Sequence, residues 1–65
     1  MKVIKGYIIE EPGTGLELFA IEDNLPVFLK EGWVYPSFFI VRDILERLRG
    51  VGYYCFCRKV SGVGE

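Results

Sequence analysis

Residues 37–49 carry the strongest secondary-structure signal in the chain, and one helix there limits what the remaining residues can form. Ser37 follows a proline and can serve as the N-cap, and Gly50 stands where the glycine that ends a helix is expected. Between them, apolar side chains recur with helical spacing and form one broad stripe: Phe38, Ile40, Val41, Ile44, Leu45 and Leu48. The segment therefore predicts an amphipathic helix that packs on a second layer.

Charged residues on the other side of this helix are spaced to form pairs. Asp43 and Arg47 are four residues apart, as are Arg42 and Glu46. Phe39 lies among these charged positions instead of in the apolar stripe. We therefore treat Phe39 as a candidate interface residue.

The segments on both sides of the helix have the composition of β-strands. Residues 2–10 and 52–60 are rich in β-branched and aromatic side chains, and residues 16–22 alternate in the manner of a strand. Residues 12–15, with a proline and two glycines, separate the first two strands. This pattern predicts a β-hairpin with a longer loop, and a last strand after the helix.

Residues 23–36 fit two kinds of secondary structure. Asn24 can cap a short helix, with Pro26 in its first turn and Gly32 at a left-handed exit. This pattern favours one or two helical turns over residues 24–32, followed by a loop. The alternative is a third short strand.

The predicted element order is therefore β-β-(short α or β)-α-β. A helix of this kind packs on one face of a mostly antiparallel sheet of three or four strands, so the fold class is α+β with two layers. A chain of 65 residues is expected to form one small domain. Residues 61–65, which contain two glycines, are expected to be a frayed tail.

Charge is balanced over the whole chain but unevenly distributed along it. The formal net charge is −1, so no global field attracts nucleic acid or membranes. Residues 6–29 contain five carboxylates and no lysine or arginine, whereas residues 42–59 carry an excess of cations. No apolar segment has the length of a signal peptide or membrane span, so we expect a cytoplasmic protein without membrane contact.

The residue types needed for most catalysis are missing or badly placed. Histidine is absent, which removes the most common general base and metal ligand. The adjacent carboxylates Glu10 and Glu11, and likewise Glu22 and Asp23, would point to opposite faces of a strand and form no acid–base pair. We therefore predict that the protein is not an enzyme and has no catalytic residue, metal site or cofactor.

Cys55 and Cys57 share one face of the last predicted strand. Two thiols without histidine do not complete a four-ligand zinc site in one chain, and a disulfide across two residues of extended chain is close to the limit of its geometry. We expect both cysteines to be reduced, metal-free and mostly buried. Their strand is then central in the sheet or next to the helix.

Residues 49–56, RGVGYYCF, partly resemble the RNP1 octamer of RNA-recognition motifs. The matching positions are Arg49, Gly50, Gly52, Tyr53 and Phe56, whereas Val51 and Tyr54 depart from the pattern. That family continues with a second helix and a further strand, and this sequence ends soon afterwards, so we assign no family. The segment still gives an alternative function, binding of single-stranded nucleic acid, with these candidates: Arg49, Tyr53, Tyr54, Phe56, Arg58 and Lys59.

The aromatic content favours binding to another protein. Aromatic residues make up 15% of the chain, and the core of so small a domain covers few of them. Trp33, Tyr35 and Phe39 cluster around the loop and the helix start, and aromatics are enriched at binding hot spots. We predict a non-catalytic interaction module that binds protein through these three residues, with a second copy of the chain as one candidate partner.

Overall fold

The computed structural model describes the backbone of residues 2–64 and the side chains of residues 5–61. Its elements are four strands and one helix, namely β1 (Lys2–Glu10), β2 (Glu17–Glu22), β3 (Leu25–Leu29), α1 (Phe38–Gly50) and β4 (Phe56–Gly64). The strands form one antiparallel sheet in the order β3-β2-β1-β4. The predicted α+β fold, with one helix and a four-stranded antiparallel sheet, is confirmed.

β1 is the strand around which the sheet is assembled. It pairs with β4 along its whole length without a register shift. On its other side it meets β2 at Glu10 and Glu17, and it then pairs with the loop through Tyr7 and Tyr35. β4 is therefore an edge strand next to β1. Of the two predicted positions for the last strand, central in the sheet or next to the helix, the central one is wrong, and Cys57 of β4 packs on a core that the helix shares.

The segment after β2 is a strand, so of the two structures left open for residues 24–32 the third short strand is confirmed and the favoured helical turns are not formed. Asp23 and Asn24 have φ angles of 51° and 62° and connect β2 to β3 by a two-residue turn. Asp and Asn tolerate this left-handed conformation because their short polar side chains bond locally. Pro26 is accommodated because β3 lies at the edge of the sheet.

The helix begins where the sequence predicts. Ser37 has an extended backbone, and its side-chain oxygen accepts a hydrogen bond of 3.2 Å from the N–H of Phe39. This bond satisfies one of the N–H groups that have no partner within the helix. The observed bounds differ from the predicted ones by a single residue at each end.

The helix ends through Gly52 instead of Gly50, which remains helical. Gly52 has a φ of 94°, and the N–H of Tyr53 donates a 2.9 Å hydrogen bond to the carbonyl of Leu48. This is the Schellman arrangement, which satisfies carbonyls at the helix end. Residues 52–55 are consequently needed to leave the helix.

β4 therefore starts at Phe56, four residues later than predicted, and it extends further. Residues 61–64 belong to β4, where Gly64 pairs with Lys2 of β1. The frayed tail predicted from residue 61 onwards is not observed over residues 61–64. Residue 65 lies outside the described part of the chain.

The fully buried core is small and joins the sheet to the helix. Among the side chains of residues 5–61, it consists of Ile9 from β1, Leu18 from β2, and Val41 and Leu48 from α1. Partly buried side chains surround it: Tyr7, Ile21, Phe28, Tyr35, Ile44, Leu45, Cys55 and Cys57. Other members of the predicted helical stripe remain largely exposed, namely Phe38 and Ile40.

The molecule is elongated and exposes much surface for its size. It measures 40 × 23 × 20 Å, with a radius of gyration of 11.9 Å, against about 11 Å for a compact domain of this length. Its accessible surface is 4913 Å², whereas a monomer of 7.5 kDa is expected to expose about 4,200 Å². Much apolar surface thus remains without a neighbour.

Candidate protein-interaction surface

The backbone of residues 32–35 is fixed against the sheet. The N–H of Trp33 donates a 3.0 Å hydrogen bond to the carbonyl of Leu18, and Tyr35 exchanges two hydrogen bonds of 2.7 and 2.8 Å with Tyr7. At Gly32 the N–H also donates to the Glu17 carboxylate at 2.9 Å. This segment follows β3 as a continuation of the sheet instead of a freely moving loop.

Two glycines allow this close approach of backbone to backbone. A Cβ added to Gly32 would lie 2.5 Å from the carbonyl oxygen of Leu18. One added to Gly6 would lie 2.6 Å from a methyl carbon of Val34 and 2.7 Å from the carbonyl oxygen of Tyr35. Only a residue without a side chain fits at either place.

Four aromatic residues, Trp33, Tyr35, Phe38 and Phe39, occupy this segment and the first helical turn, and we call them the aromatic platform. Trp33 is 58% exposed and Phe39 is 67% exposed. Tyr35 is half-buried against the core, and burial raises the pKa of its phenol. Of the three predicted interaction residues, Trp33 and Phe39 are thus exposed, whereas Tyr35 packs against the core.

Phe38 connects the platform to the sheet. Its ring packs edge-on against Tyr7 with 5.8 Å between the ring centroids and 62° between the planes. Such T-shaped pairs contribute about 0.5–1.5 kcal/mol beyond the burial of their area. The helix start is thereby held on β1, which also pairs with Tyr35.

The unexpected position of Phe39 is explained by a neighbouring cation. The guanidinium of Arg42, three residues later and on the same helix face, lies 5.4 Å from the centre of the Phe39 ring. A cation over an aromatic face is worth about 0.5–1 kcal/mol when exposed. Arg42 thus covers part of one face of the ring, although most of the ring faces solvent.

The charge pairs predicted along the helix are not formed. Arg42 contacts Phe39, and Arg47 donates a 3.2 Å hydrogen bond to the side-chain oxygen of Asn24. Within residues 5–61, the ion pair that does form joins Arg58 to Glu10 at 3.1 Å. Arg42 thus contacts an aromatic ring of its own helix and Arg47 contacts the β2–β3 turn, instead of the predicted charge pairs, which are individually worth a few tenths of a kcal/mol.

The residues proposed for nucleic-acid binding are spread over three elements. Arg49 is in the last turn of α1, Tyr53 and Tyr54 are in the connection, and the others are on β4. Tyr54 and Phe56 are well exposed, at 70% and 63%. Arg58 is engaged with Glu10 on β1, so it is not directed toward a separate ligand.

The octamer that resembles RNP1 does not form a strand. Arg49 and Gly50 are helical, Gly52 ends the helix, and Phe56 is its first residue within β4. RNP1 aromatics stack bases because they lie on a sheet surface. The pattern in this chain is explained by the helix end instead.

Both cysteines contact the core from the helix side of the sheet. Cys57 is paired with the buried Ile9, and each thiol is free and half-buried. They are less buried than predicted because Cys57 lies on the edge strand β4 and Cys55 lies in the connection before it. Burial raises the pKa of both thiols, and for Cys55 the negative charge of Glu11 adds to this effect.

We expect both native thiols to react with iodoacetamide several-fold more slowly at pH 8 than in the urea-unfolded chain. The thiolate is the reactive form, and the raised pKa values favour the neutral thiol in the folded state. Each thiol with a raised pKa makes its full contribution to folding stability at pH values below its pKa in the unfolded chain. This contribution is lost as the pH rises through its pKa in the folded chain. Mass spectrometry of timed samples measures the rates, and equal rates in both states would contradict the placement.

Two further observations concern metals and membranes. Within the described side chains, no three or more cysteine or carboxylate groups lie close enough together to hold a metal ion. Among residues 2–64, no helix has the length and apolar character needed to cross a membrane.

No family model, no curated protein and no solved structure matches this chain. Function must therefore be argued from the chain's own geometry. Sequence reasoning located Trp33, Tyr35 and Phe39 but did not identify Phe38 as the residue that fixes the helix start on Tyr7. The contact of Arg42 with Phe39 was also missed, although their spacing of three residues is a signal for neighbours on a helix.

Proposed function

We propose that this protein is a small non-catalytic interaction module that binds another protein through the aromatic platform. The observation that carries the proposal is an exposed Trp33 whose backbone N–H is held by a hydrogen bond to the carbonyl of Leu18. A rigid aromatic loses little conformational freedom on binding, so more of its contact energy appears as affinity. Tryptophan and tyrosine are also the residues most enriched at hot spots.

Charge around the platform favours a protein over a polyanion. The charged residues that flank it are Lys30 and Glu31 before Trp33, and Arg42 and Asp43 after Phe39. These charges cancel, so no local field attracts phosphates. An apolar surface bordered by both signs of charge has the composition of a protein interface.

Single-stranded nucleic acid is the second candidate, and the exposure of Tyr54 and Phe56 supports it. Exposed aromatics can stack bases, and cations nearby can contact phosphates. The candidate is weaker because Arg58 is paired with Glu10 and the six residues lie on three elements. The oligonucleotide titration described below tests for nucleic-acid binding directly.

Trp33→Ala is expected to weaken binding of the protein partner by about 30-fold or more, the effect of a hot spot of 2 kcal/mol. Phe39→Ala should weaken it less, and Tyr54→Ala, which removes an equally exposed aromatic elsewhere, should leave it unchanged. The partner is captured on the immobilised wild-type chain, identified, purified and titrated against all four proteins. Trp33 is the only tryptophan, so its fluorescence reports directly on its burial in the wild-type complex.

A labelled oligonucleotide, titrated at two salt concentrations, is the matched control for the second candidate. Binding that falls steeply with salt and is lost in Tyr54→Ala but kept in Trp33→Ala would overturn the proposal in favour of nucleic acid. Equal loss of the protein partner from Tyr54→Ala and Trp33→Ala would contradict the assignment of the platform.

A further inference from the structure

The two edges of the sheet differ in how they are protected against pairing with another strand. β3 is five residues long and contains Pro26, and both short length and proline are devices that block edge pairing. β4 is nine residues long and contains no proline. Among residues 2–64, no strand covers its outer side.

The charges on β4 protect it only weakly. A lysine or arginine directed outward from an edge strand discourages pairing. Arg58 is instead drawn toward β1 by Glu10, with 3.1 Å between its Nε and the carboxylate oxygen. Lys59 is then the one cation on this strand that forms no ion pair within the described side chains.

We propose that β4 is a dimer seam, at which two copies of this chain pair their β4 edges antiparallel around a two-fold axis at Val60. The two four-stranded sheets then become one sheet of eight strands. This inference goes beyond the proposed function, because the seam lies on the opposite side of β1 from the aromatic platform.

We infer that the strand that pairs with β4 is the β4 strand of a second copy, because two identical strands that run antiparallel present matching N–H and C=O groups to each other. Its pairing with β1 is regular over all of β4, so its outer edge is a straight template of about 30 Å. The whole molecule, not β4 alone, exposes roughly 700 Å² more surface than a compact monomer of its mass. An interface of standard size, about 800 Å² per partner, would cover an area of that order.

Charge selects the register of the pairing. With the axis at Val60, all nine residues of β4 overlap, and Lys59 lies opposite Ser61 of the second copy. An axis moved to Lys59 or to Arg58 would set like charges directly opposite each other, which is destabilising. Within its own chain Val60 pairs with Gly6, which presents no side chain beside it.

The test places a cysteine on the axis, as Val60→Cys in a chain that also carries Cys55→Ala and Cys57→Ala. Paired residues on an antiparallel axis have Cα atoms about 4.5–5.5 Å apart, within the range of a disulfide. With diamide as oxidant, we expect a covalent dimer to form at least about tenfold faster than from Thr14→Cys in the same background, because pairing makes the reaction effectively intramolecular. Thr14 is an exposed control in the β1–β2 loop.

A second measurement uses the unmodified chain, so the proposal stays testable if these variants do not fold. In the monomer, alternate N–H groups of β4 face solvent, and pairing protects them. Their hydrogen exchange should slow at least about tenfold between dilute and concentrated samples, while exchange in β3 stays unchanged.

Three results would overturn the seam. They are a monomer by sedimentation up to about 1 mM, a dimer that cross-links no faster at Val60→Cys than at Thr14→Cys, and concentration-dependent protection in β3 instead of β4. None of these affects partner binding through Trp33, so failure of the seam and failure of the proposed function are distinguishable.

Discussion

Leu18→Ala is expected to lower the free energy of unfolding by about 2–5 kcal/mol, the usual cost of a cavity in a packed core. Leu18 is completely buried and is one of four residues that form the core. Domains of this length typically have a free energy of unfolding of roughly 3–10 kcal/mol. The substitution should therefore remove a large part of this free energy of unfolding.

Urea unfolding followed by circular dichroism measures this loss. Leu25→Ala is the matched control, since it makes the same chemical change in the same hairpin at a side chain that is 54% exposed. It should change the free energy of unfolding by about 0.5 kcal/mol or less. Similar losses in the two variants would contradict the placement of the core.

Gly32→Ala is expected to cost about 1–3 kcal/mol, the range for extra atoms forced into a packed site. The added methyl group would meet the backbone of Leu18 and Glu17, at 2.5 Å from a carbonyl oxygen and 2.9 Å from a carbonyl carbon. Backbone atoms cannot rotate away as the end of a flexible side chain can. The hydrogen bond from the Gly32 N–H to Glu17 would also shift.

Gly50→Ala is the control for this substitution because it should have the opposite sign. Gly50 is helical, and a Cβ placed there would meet nothing within 4 Å. Alanine stabilises a helix interior by about 0.5–1 kcal/mol relative to glycine. Destabilisation by Gly50→Ala together with a neutral Gly32→Ala would contradict the described packing.

Patterns confined to a few neighbouring residues allowed the helix to be predicted. Ser37 and the apolar spacing after it act within one helical segment, so they set its start whatever surrounds it. The first two strands and the turn between them were predictable for the same reason, although, among residues 2–64, β1 and β2 pair at Glu10 and Glu17 alone. The fold class followed because a single amphipathic helix among strands has few ways to bury its stripe.

The sequence left β3 open between a short helix and a short strand because two local patterns competed. Asn24, Pro26 and Gly32 have the spacing of a short helix, but Asp23 and Asn24 also suit a two-residue hairpin turn. Pairing of β3 with β2 decides between them. That pairing depends on contacts across the chain, which propensity alone does not contain.

The sequence allowed candidate interaction residues to be chosen by residue type and position. It did not predict how exposed each of their side chains is. Aromatics near the helix start identified Trp33, Tyr35 and Phe39, but their burial depends on the hydrogen bonds of the segment to Leu18 and Tyr7. Those bonds join residues far apart in the sequence. The same reason explains why Cys57 on the edge strand β4, and Cys55 in the connection before it, are less buried than expected.

The pairing of the first strand with the last also determines the order in which the fold can be completed. Residues 11–55 separate the paired ends of β1 and β4, whereas two residues separate β2 from β3. Closing the longer loop costs roughly 3 kcal/mol more entropy, at about 0.6 kcal/mol for each doubling of length. The β2–β3 hairpin and the helix can thus form early, whereas β1 can pair along its whole length only after β4 is in place. Long-range pairing of this kind slows folding, and during synthesis β1 stays unpaired along that edge until β4 has been made.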